Sequence, residues 1–154
     1  MPEFKKELLQ KVVTQLEGEL LSLTKALDDS SAAATDPGSK AEGKYDTRSL
    51  EMSYLAAGQA KQAEALVASV EHLGRFEVAP LEITDAIALG ALVEVEQGGE
   101  WNWYFLLPAG GGVEVEGEGR LVTTLTPESP LFSQLEGKRI GEEIGTGGMV
   151  SEVS

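Results

Sequence analysis

Apolar residues near the start of the chain recur at alternating steps of four and three. The positions are Leu9, Val13, Leu16, Leu20, Leu23 and Leu27. Because an α-helix turns once in about 3.6 residues, this spacing places them in one narrow stripe, which is typical of a coiled-coil seam. Pro2 suits the first turn of a helix. The pattern predicts a helix over about residues 3–29.

A second stripe with the same spacing follows after a break. Its positions are Met52, Ala56, Gln59, Ala63, Leu66, Val70 and Leu73. Gly74 is a suitable C-terminal cap. A second helix is therefore predicted over about residues 46–73.

The segment between the stripes, Asp28–Gly43, is small and polar and contains the turn signal Pro37-Gly38. Two helices of similar length joined by a turn most simply bury their stripes against each other. We therefore predict an antiparallel two-helix coiled coil over residues 1–75, with its tip near 30–45. The alternative is a single globule in which both helices fold back over the second half of the chain.

From residue 76 onwards the period changes from helical spacing to alternation. Four strands are predicted, at Leu89–Glu96, Trp101–Leu107, Val113–Glu116 and Leu121–Leu125, with an extended end near Met149–Val153. The link QGGE indicates a hairpin between the first two strands. Ser129-Pro130 begins a short helix that Gly137 ends. Residues 76–154 are thus predicted to form an antiparallel β domain with a short helix, and the whole chain an α+β fold.

The chain is strongly acidic, with 26 Asp and Glu residues against 12 Lys and Arg, a formal net charge of −14 and a pI near 4.4. Bulk electrostatics therefore oppose binding to a nucleic-acid backbone or an anionic membrane, and favour a basic protein surface as partner. No run approaches the roughly 18 apolar residues that span a bilayer, and there is no cysteine. We expect a soluble, cytoplasmic protein.

Few residues offer catalytic chemistry of their own. The chain has no cysteine, and its one imidazole, His72, falls on the second predicted helix, where a packed or solvated residue is the ordinary interpretation. The glycine-rich segments at 110–112 and 145–148 lack the Lys-Ser/Thr ending of a phosphate loop. We therefore expect no enzyme in its own right and no intrinsic cofactor.

Carboxylates near the predicted tip are the better candidates. Asp36, Glu42 and Asp46 do not have the spacing of a Ca²⁺ loop, and solvated loop or cap residues are the plain alternative. At the end of a long arm, however, a carboxylate can reach a recessed catalytic centre on another macromolecule. There it can complete the coordination shell of a metal ion or orient a water molecule.

Two segments then point to a known family. One is AEGKYDTRSLEMSYLAAGQA, residues 41–60, and the other holds Ser129, Pro130, Leu131, Leu135, Gly137, Lys138 and Gly141. The second segment is similar to the SPL…LLGKxxGD segment of the Gre transcript-cleavage factors, which bind bacterial RNA polymerase. The first looks like the signature of a shorter Gre-like subgroup. The chain thus resembles the Gre family over most of its length.

The resemblance implies a mechanism and roles for the tip residues. In that family the arm enters the secondary channel of the polymerase, and tip carboxylates help to hold a catalytic Mg²⁺ that cleaves backtracked RNA. Carried over, Glu42 is the tip acid and the shared Mg²⁺ ligand, with Asp36 and Asp46 as possible helpers. The family pattern Asp-x-x-Glu-Asn-x-x-Tyr is matched at Glu42, and Tyr45 stands one residue before its Tyr position, which falls on Asp46. It is not matched at Ser39, which takes the Asp position, or at Gly43, which takes the Asn position.

The same resemblance implies an FKBP-like second domain that docks at the rim of the channel. The candidate partner-binding residues are Tyr45, Arg48, Ser129, Pro130, Leu131, Lys138 and Arg139. For the Lys138-Arg139 pair, solvated charges at a helix end are the plain alternative.

We therefore expect a polymerase-binding elongation regulator that stimulates cleavage of backtracked RNA, with no sequence-specific nucleic-acid binding. The oligomeric state is left open. The first alternative is a regulator or inhibitor that occupies the channel without cleavage. The second is a prolyl isomerase of FKBP type, although Trp101, Trp103, Tyr104 and Phe105 are interpreted as core and hairpin residues and not as an aromatic pocket.

Overall fold

A computed structural model describes residues 2–35, 48–145 and 147–154. Two long helices come first, α1 (Pro2–Thr35) and α2 (Arg48–Arg75). Five strands and a third helix follow: β1 (Leu92–Gln97), β2 (Glu100–Leu106), β3 (Glu114–Gly117), β4 (Arg120–Leu125), α3 (Pro130–Leu135) and β5 (Met149–Val153). The chain therefore has the predicted α+β fold.

Helix α1 continues six residues beyond its predicted end at residue 29. The apolar stripe stops there, but the following residues, SSAAAT from Ser30, include three alanines, the best helix formers. The loss of an apolar stripe ends a seam without ending a helix. The prediction for α2 was closer, with both ends displaced by two residues.

The described chain divides into two compact units that cut across both helices. Residues 1–15 and 69–154 form one, which we call the base unit, and residues 16–68 form the other, the arm unit. The predicted domains, by contrast, divide the chain at residue 75. In the arm unit, residues of α1 and α2 line a common groove of about 540 Å³, with Leu23 on one side and Leu66 on the other.

In the base unit the buried positions of α1 differ from the predicted seam. Phe4, Leu8 and Val12 are buried, whereas Leu9 and Val13 are only half-buried. The prediction that Leu9 and Val13 mark the buried stripe is therefore wrong for this end of the helix. The reason is that Phe4 and Leu8 lie against the β3–β4 hairpin, so the direction of burial is set by the sheet.

The sheet has the strand order β3-β4-β2-β1-β5. Pairs β1–β2 and β3–β4 are antiparallel, as predicted from their short links. The chain end forms β5, which pairs with β1 and is also antiparallel, but β2 and β4 run parallel. An all-antiparallel domain is therefore the wrong prediction at this one pair. After β2 the chain first forms β3 at the edge of the sheet, and β4 then pairs antiparallel with β3 and lies between β3 and β2. Because β3 is inserted between them in the chain, β4 runs in the same direction as β2.

The main core lies between one face of the sheet and α3. Val93 and Val95 of β1 are buried with Leu106 and Leu125, and Phe132 and Leu135 of α3 complete the cluster. The alternating residues of β1 and β2, such as Leu92 and Phe105, project from the opposite face and are also buried. Over part of its area the sheet is therefore apolar on both faces. An alternating pattern of apolar and polar residues in the sequence predicts only one apolar face.

Lys5 lies in the interior of the base unit. Its side chain is 1% exposed, and its Nζ donates hydrogen bonds to the backbone oxygens of Gly90 at 2.9 Å and Ala79 at 3.2 Å. In the part of the chain that the structure describes, Lys5 forms no ion pair. Burial without a counter-charge lowers the pKa of its ammonium.

Candidate functional site

The predicted tip chemistry falls on a segment between the two long helices. Asp36, Glu42, Tyr45 and Asp46 lie outside the described residues, and Arg48 is the first residue of α2. The flanking helices are long: 34 residues in α1 and 28 in α2 correspond to about 50 Å and about 42 Å at 1.5 Å per residue. The tip acids thus belong to a connection between a helix of about nine turns and a helix of about eight turns.

The second candidate segment, residues 129–141, is built around α3. Pro130 occupies the first helical turn, where its missing N–H costs nothing. Phe132 and Leu135 are buried in the main core, and Leu131 packs against the same cluster. The apolar residues of this segment therefore anchor it, while Pro130 remains exposed.

Two glycines fix the path of the chain after α3. Gly137 has φ of 83° and Gly141 has φ of 87°, a region that side chains with a Cβ rarely adopt. The N–H of Gly137 donates to Ile87 O at 2.8 Å, and the N–H of Gly141 donates to Val150 O at 2.7 Å. The glycines of the 129–141 segment are thus required by the path of the backbone, so their presence is explained by the fold.

The two basic residues of the segment differ in their surroundings. Nη1 of Arg139 donates to Thr84 O at 2.6 Å, and its backbone N–H donates to the Glu142 carboxylate at 2.7 Å. The Lys138 side chain is half-buried, and its backbone carbonyl accepts a hydrogen bond from Ile87. The Arg139 side chain is therefore held against the loop that contains Thr84. Lys138 is the better candidate for contact with a partner.

Exposed apolar side chains beside this pair were missed by the sequence analysis. Ile83 and Ile140 are 51% and 37% exposed. Ile83 lies one residue before Thr84, whose carbonyl oxygen binds Arg139, and Ile140 follows Arg139 directly. Their spacing gave no signal, because residues 83 and 140 are far apart in the chain and only the hydrogen bond from Arg139 to Thr84 O brings their neighbours together.

The aromatic run of β2 divides between the interior and the surface. Trp103 and Phe105 are buried, and Tyr104 packs against the main core, where burial raises the pKa of its phenol. Trp101 is exposed. Because successive residues of a strand point to opposite faces, the four side chains do not line one pocket.

Within the described residues, no three His, Asp or Glu side chains come together in a way that suits a metal ion, and Glu42 lies outside these residues. His72 is exposed on α2. None of the helices described here combines the length and the apolar character needed to cross a membrane.

Comparison with known proteins gives similarity to solved structures only. No protein-family model matches the chain, and no curated protein matches it. GreA factor homolog 1 (Gfh1) of Thermus thermophilus is 20% identical, with 92% of this chain and 94% of that chain covered and a TM-score of 0.37. Gfh1 of Thermus aquaticus is also 20% identical, with 99% and 96% covered and a TM-score of 0.35.

A third structure, described as the transcription factor Gfh1, is 23% identical, with 99% of this chain and 92% of that chain covered and a TM-score of 0.36. Scores at this level carry no argument about how this chain works.

Proposed function

We propose that this chain is a Gre-type transcription elongation regulator that binds RNA polymerase and places the 36–47 connection in the secondary channel. A cytoplasmic location follows from that partner. The single observation that carries the proposal is the combination of the Gre-like 129–141 segment with a helix–connection–helix arrangement whose connection holds the Glu-x-x-Tyr motif, Glu42 to Tyr45.

The lengths of the helices support this role. The parts of α1 and α2 that belong to the arm unit, residues 16–35 and 48–68, correspond to about 30 Å each at 1.5 Å per residue. A connection at the end of such helices can enter a channel that a globular domain cannot. In the proposed complex Glu42 would share a Mg²⁺ with the polymerase, with Asp36 and Asp46 beside it, so the chain supplies a carboxylate and not an active site of its own. Tyr45 and Arg48 would contact the channel.

Docking of the base unit is the second part of the proposal. Lys138 provides a positive charge next to exposed Ile83 and Ile140, and Pro130 is exposed on α3. Apolar contact ringed by charge is a common composition for a protein interface. Arg139 would act mainly by holding the 138–142 turn in place, since its guanidinium already binds Thr84 O.

A second candidate function is occupancy of the channel without cleavage. The observation that favours it is the residue at position 39, where Ser39 replaces the second acid of the cleavage-factor pattern. One carboxylate is a weaker ligand for a hard cation than two. In this alternative the chain binds the polymerase in the same way but does not stimulate cleavage, and it inhibits or otherwise regulates elongation.

Binding and cleavage are tested separately. In a pull-down with core RNA polymerase, we expect the full chain to be retained and a variant lacking residues 30–45 to be retained much more weakly. Full retention of the deletion variant would contradict insertion of the tip.

Cleavage is then measured as RNA released from a backtracked elongation complex at saturating protein. Loss of one ligand of a catalytic metal shell is expected to lower the rate by at least about tenfold in Glu42→Ala. Glu64→Gln, an exposed acid on α2, is the control and should be unchanged. Cleavage at the background rate with the unmodified chain, despite binding, would refute the catalytic role and leave the channel-occupying function.

A further inference from the structure

Two tryptophans and three glutamates share one face of the sheet. In the β1–β2 pair, Glu96 is opposite Trp101 and Glu94 is opposite Trp103. In the β1–β5 pair, Met149 is opposite Glu96 and Glu152 is opposite Glu94. Directly opposite residues on paired strands project from the same face. We call this surface the acidic indole face: Glu94, Glu96, Trp101, Trp103, Met149 and Glu152.

The apolar part of this face is partly open to solvent. Trp101 is 60% exposed and Met149 40% exposed, whereas Trp103 is buried. Arg120 lies over Trp103, with its guanidinium carbon 4.4 Å from the ring centroid. One indole of the face thus already carries a guanidinium. In the described part of the chain no cation lies over Trp101, the next residue on the same face of β2.

Within the described residues the charge of the face is only partly offset, since Arg120 supplies one positive charge against three carboxylates. Glu94 accepts a hydrogen bond from Ser151 Oγ at 2.8 Å, and Glu96 accepts one from the Gly99 N–H at 3.0 Å, but neither forms an ion pair there. Glu94 and Glu152 stand directly opposite each other, an arrangement of like charges that destabilises a sheet. A cation between them would remove that repulsion.

The identity of the occupant follows from charge. A second copy of this chain would carry its own formal charge of −14 towards three carboxylates, which disfavours self-association through this face. Nucleic acid is disfavoured for the same reason. An arginine side chain suits both parts of the surface, since its planar guanidinium stacks on aromatic rings and accepts no hydrogen bonds but donates five.

We propose that the acidic indole face binds an arginine-bearing basic segment of a partner protein. One guanidinium stacks on Trp101, as that of Arg120 does on Trp103, and donates to the carboxylate of Glu96, which is opposite Trp101. A second basic side chain of the same segment lies between Glu94 and Glu152. This inference goes beyond the proposed role at RNA polymerase and does not depend on it, because it concerns the sheet face opposite the main core and α3.

The test uses the full chain and two fluorescein-labelled peptides of equal charge, hexa-arginine and hexalysine, with binding followed by fluorescence anisotropy. We expect hexa-arginine to bind at least about threefold more tightly, because lysine cannot stack as a plane. Trp101→Ala should weaken hexa-arginine binding about tenfold. Leu121→Ala, which removes another exposed apolar side chain, 59% exposed, should change it less than about twofold.

A matched pair of variants separates this face from the overall charge. Glu96→Gln/Glu152→Gln and Glu128→Gln/Glu136→Gln both change the formal net charge from −14 to −12. We expect only the first pair to weaken hexa-arginine binding about tenfold.

Equal weakening by both pairs, equal affinity for the two peptides, or no effect of Trp101→Ala would overturn the proposal, since bulk charge would then explain the binding. Sedimentation provides a further check on the chain without peptide. A dimer that Trp101→Ala dissociates would assign the face to a second copy and would also overturn it.

Discussion

The close contact between α1 and the β3–β4 hairpin makes Gly117→Ala a sharp test of how the base unit is assembled. Gly117 is buried, and a Cβ at this position would lie 2.9 Å from Leu8 Cδ2 and 3.0 Å from Phe4 Cε2. Real Cβ atoms are rarely found this close to another carbon. One of the two side chains would have to move.

The free space for such a movement is small. Leu8 is fully buried and Phe4 is 6% exposed, and the Phe4 ring also lies 6.0 Å from the Arg120 guanidinium. Overpacking a buried position by one carbon typically costs 1–3 kcal/mol, so we expect a loss of about 2 kcal/mol in the free energy of unfolding. For a chain of this length that corresponds to a fall in Tm of roughly 4–8 °C.

The assay is unfolding followed by tryptophan fluorescence, because both tryptophans of the chain lie in β2 and report on the base unit. Gly18→Ala is the control. It lies inside α1 with nothing within 4 Å of its Cβ position, so it should stabilise the chain by about 0.5–1 kcal/mol through helix propensity.

A double-mutant cycle completes the test. Leu8→Ala alone should cost about 2–5 kcal/mol, and Leu8→Ala/Gly117→Ala should cost less than the sum of the two, because the smaller side chain leaves room for the new methyl group. Additive costs, or a Gly117→Ala variant as stable as the parent, would refute the packing of α1 on β3.

Two further predictions concern buried polar groups. The ordinary pKa of lysine is 10.5, and that of Lys5 is lowered, so between the two values the unfolded chain binds a proton that the folded chain lacks, and stability rises with pH. The free energy of unfolding of the parent relative to Lys5→Met should therefore increase towards pH 10.5, by at most about 1.4 kcal/mol per pH unit. The measurement is chemical denaturation of both proteins over a pH series. A difference that stays constant with pH would show that Lys5 is solvated. Thr124→Val removes a buried hydroxyl that accepts the Val113 N–H at 2.9 Å and donates to Gly110 O at 2.5 Å, so we expect a loss of about 1–3 kcal/mol, whereas an unchanged denaturation midpoint would contradict this pairing.

The sequence determined the elements whose signals are local. Apolar spacing predicted both long helices, alternation and QGGE predicted the β1–β2 hairpin, and Ser129-Pro130 with Gly137 predicted α3. These signals depend on residues a few positions apart, so one segment carries the whole of each. The candidate tip residues also come from the sequence and its resemblance to the Gre family, and they remain predictions.

Tertiary structure decided what those elements contact. The parallel β2–β4 pair, the burial of Leu8 in place of Leu9, and the position of Lys5 beneath Gly90 all depend on residues far apart in the chain. The same is true of Trp101 and Glu152, which reach one face only because β1 lies between β2 and β5. A local pattern states which face of an element is apolar, whereas the partner that covers that face is selected by packing over the whole unit.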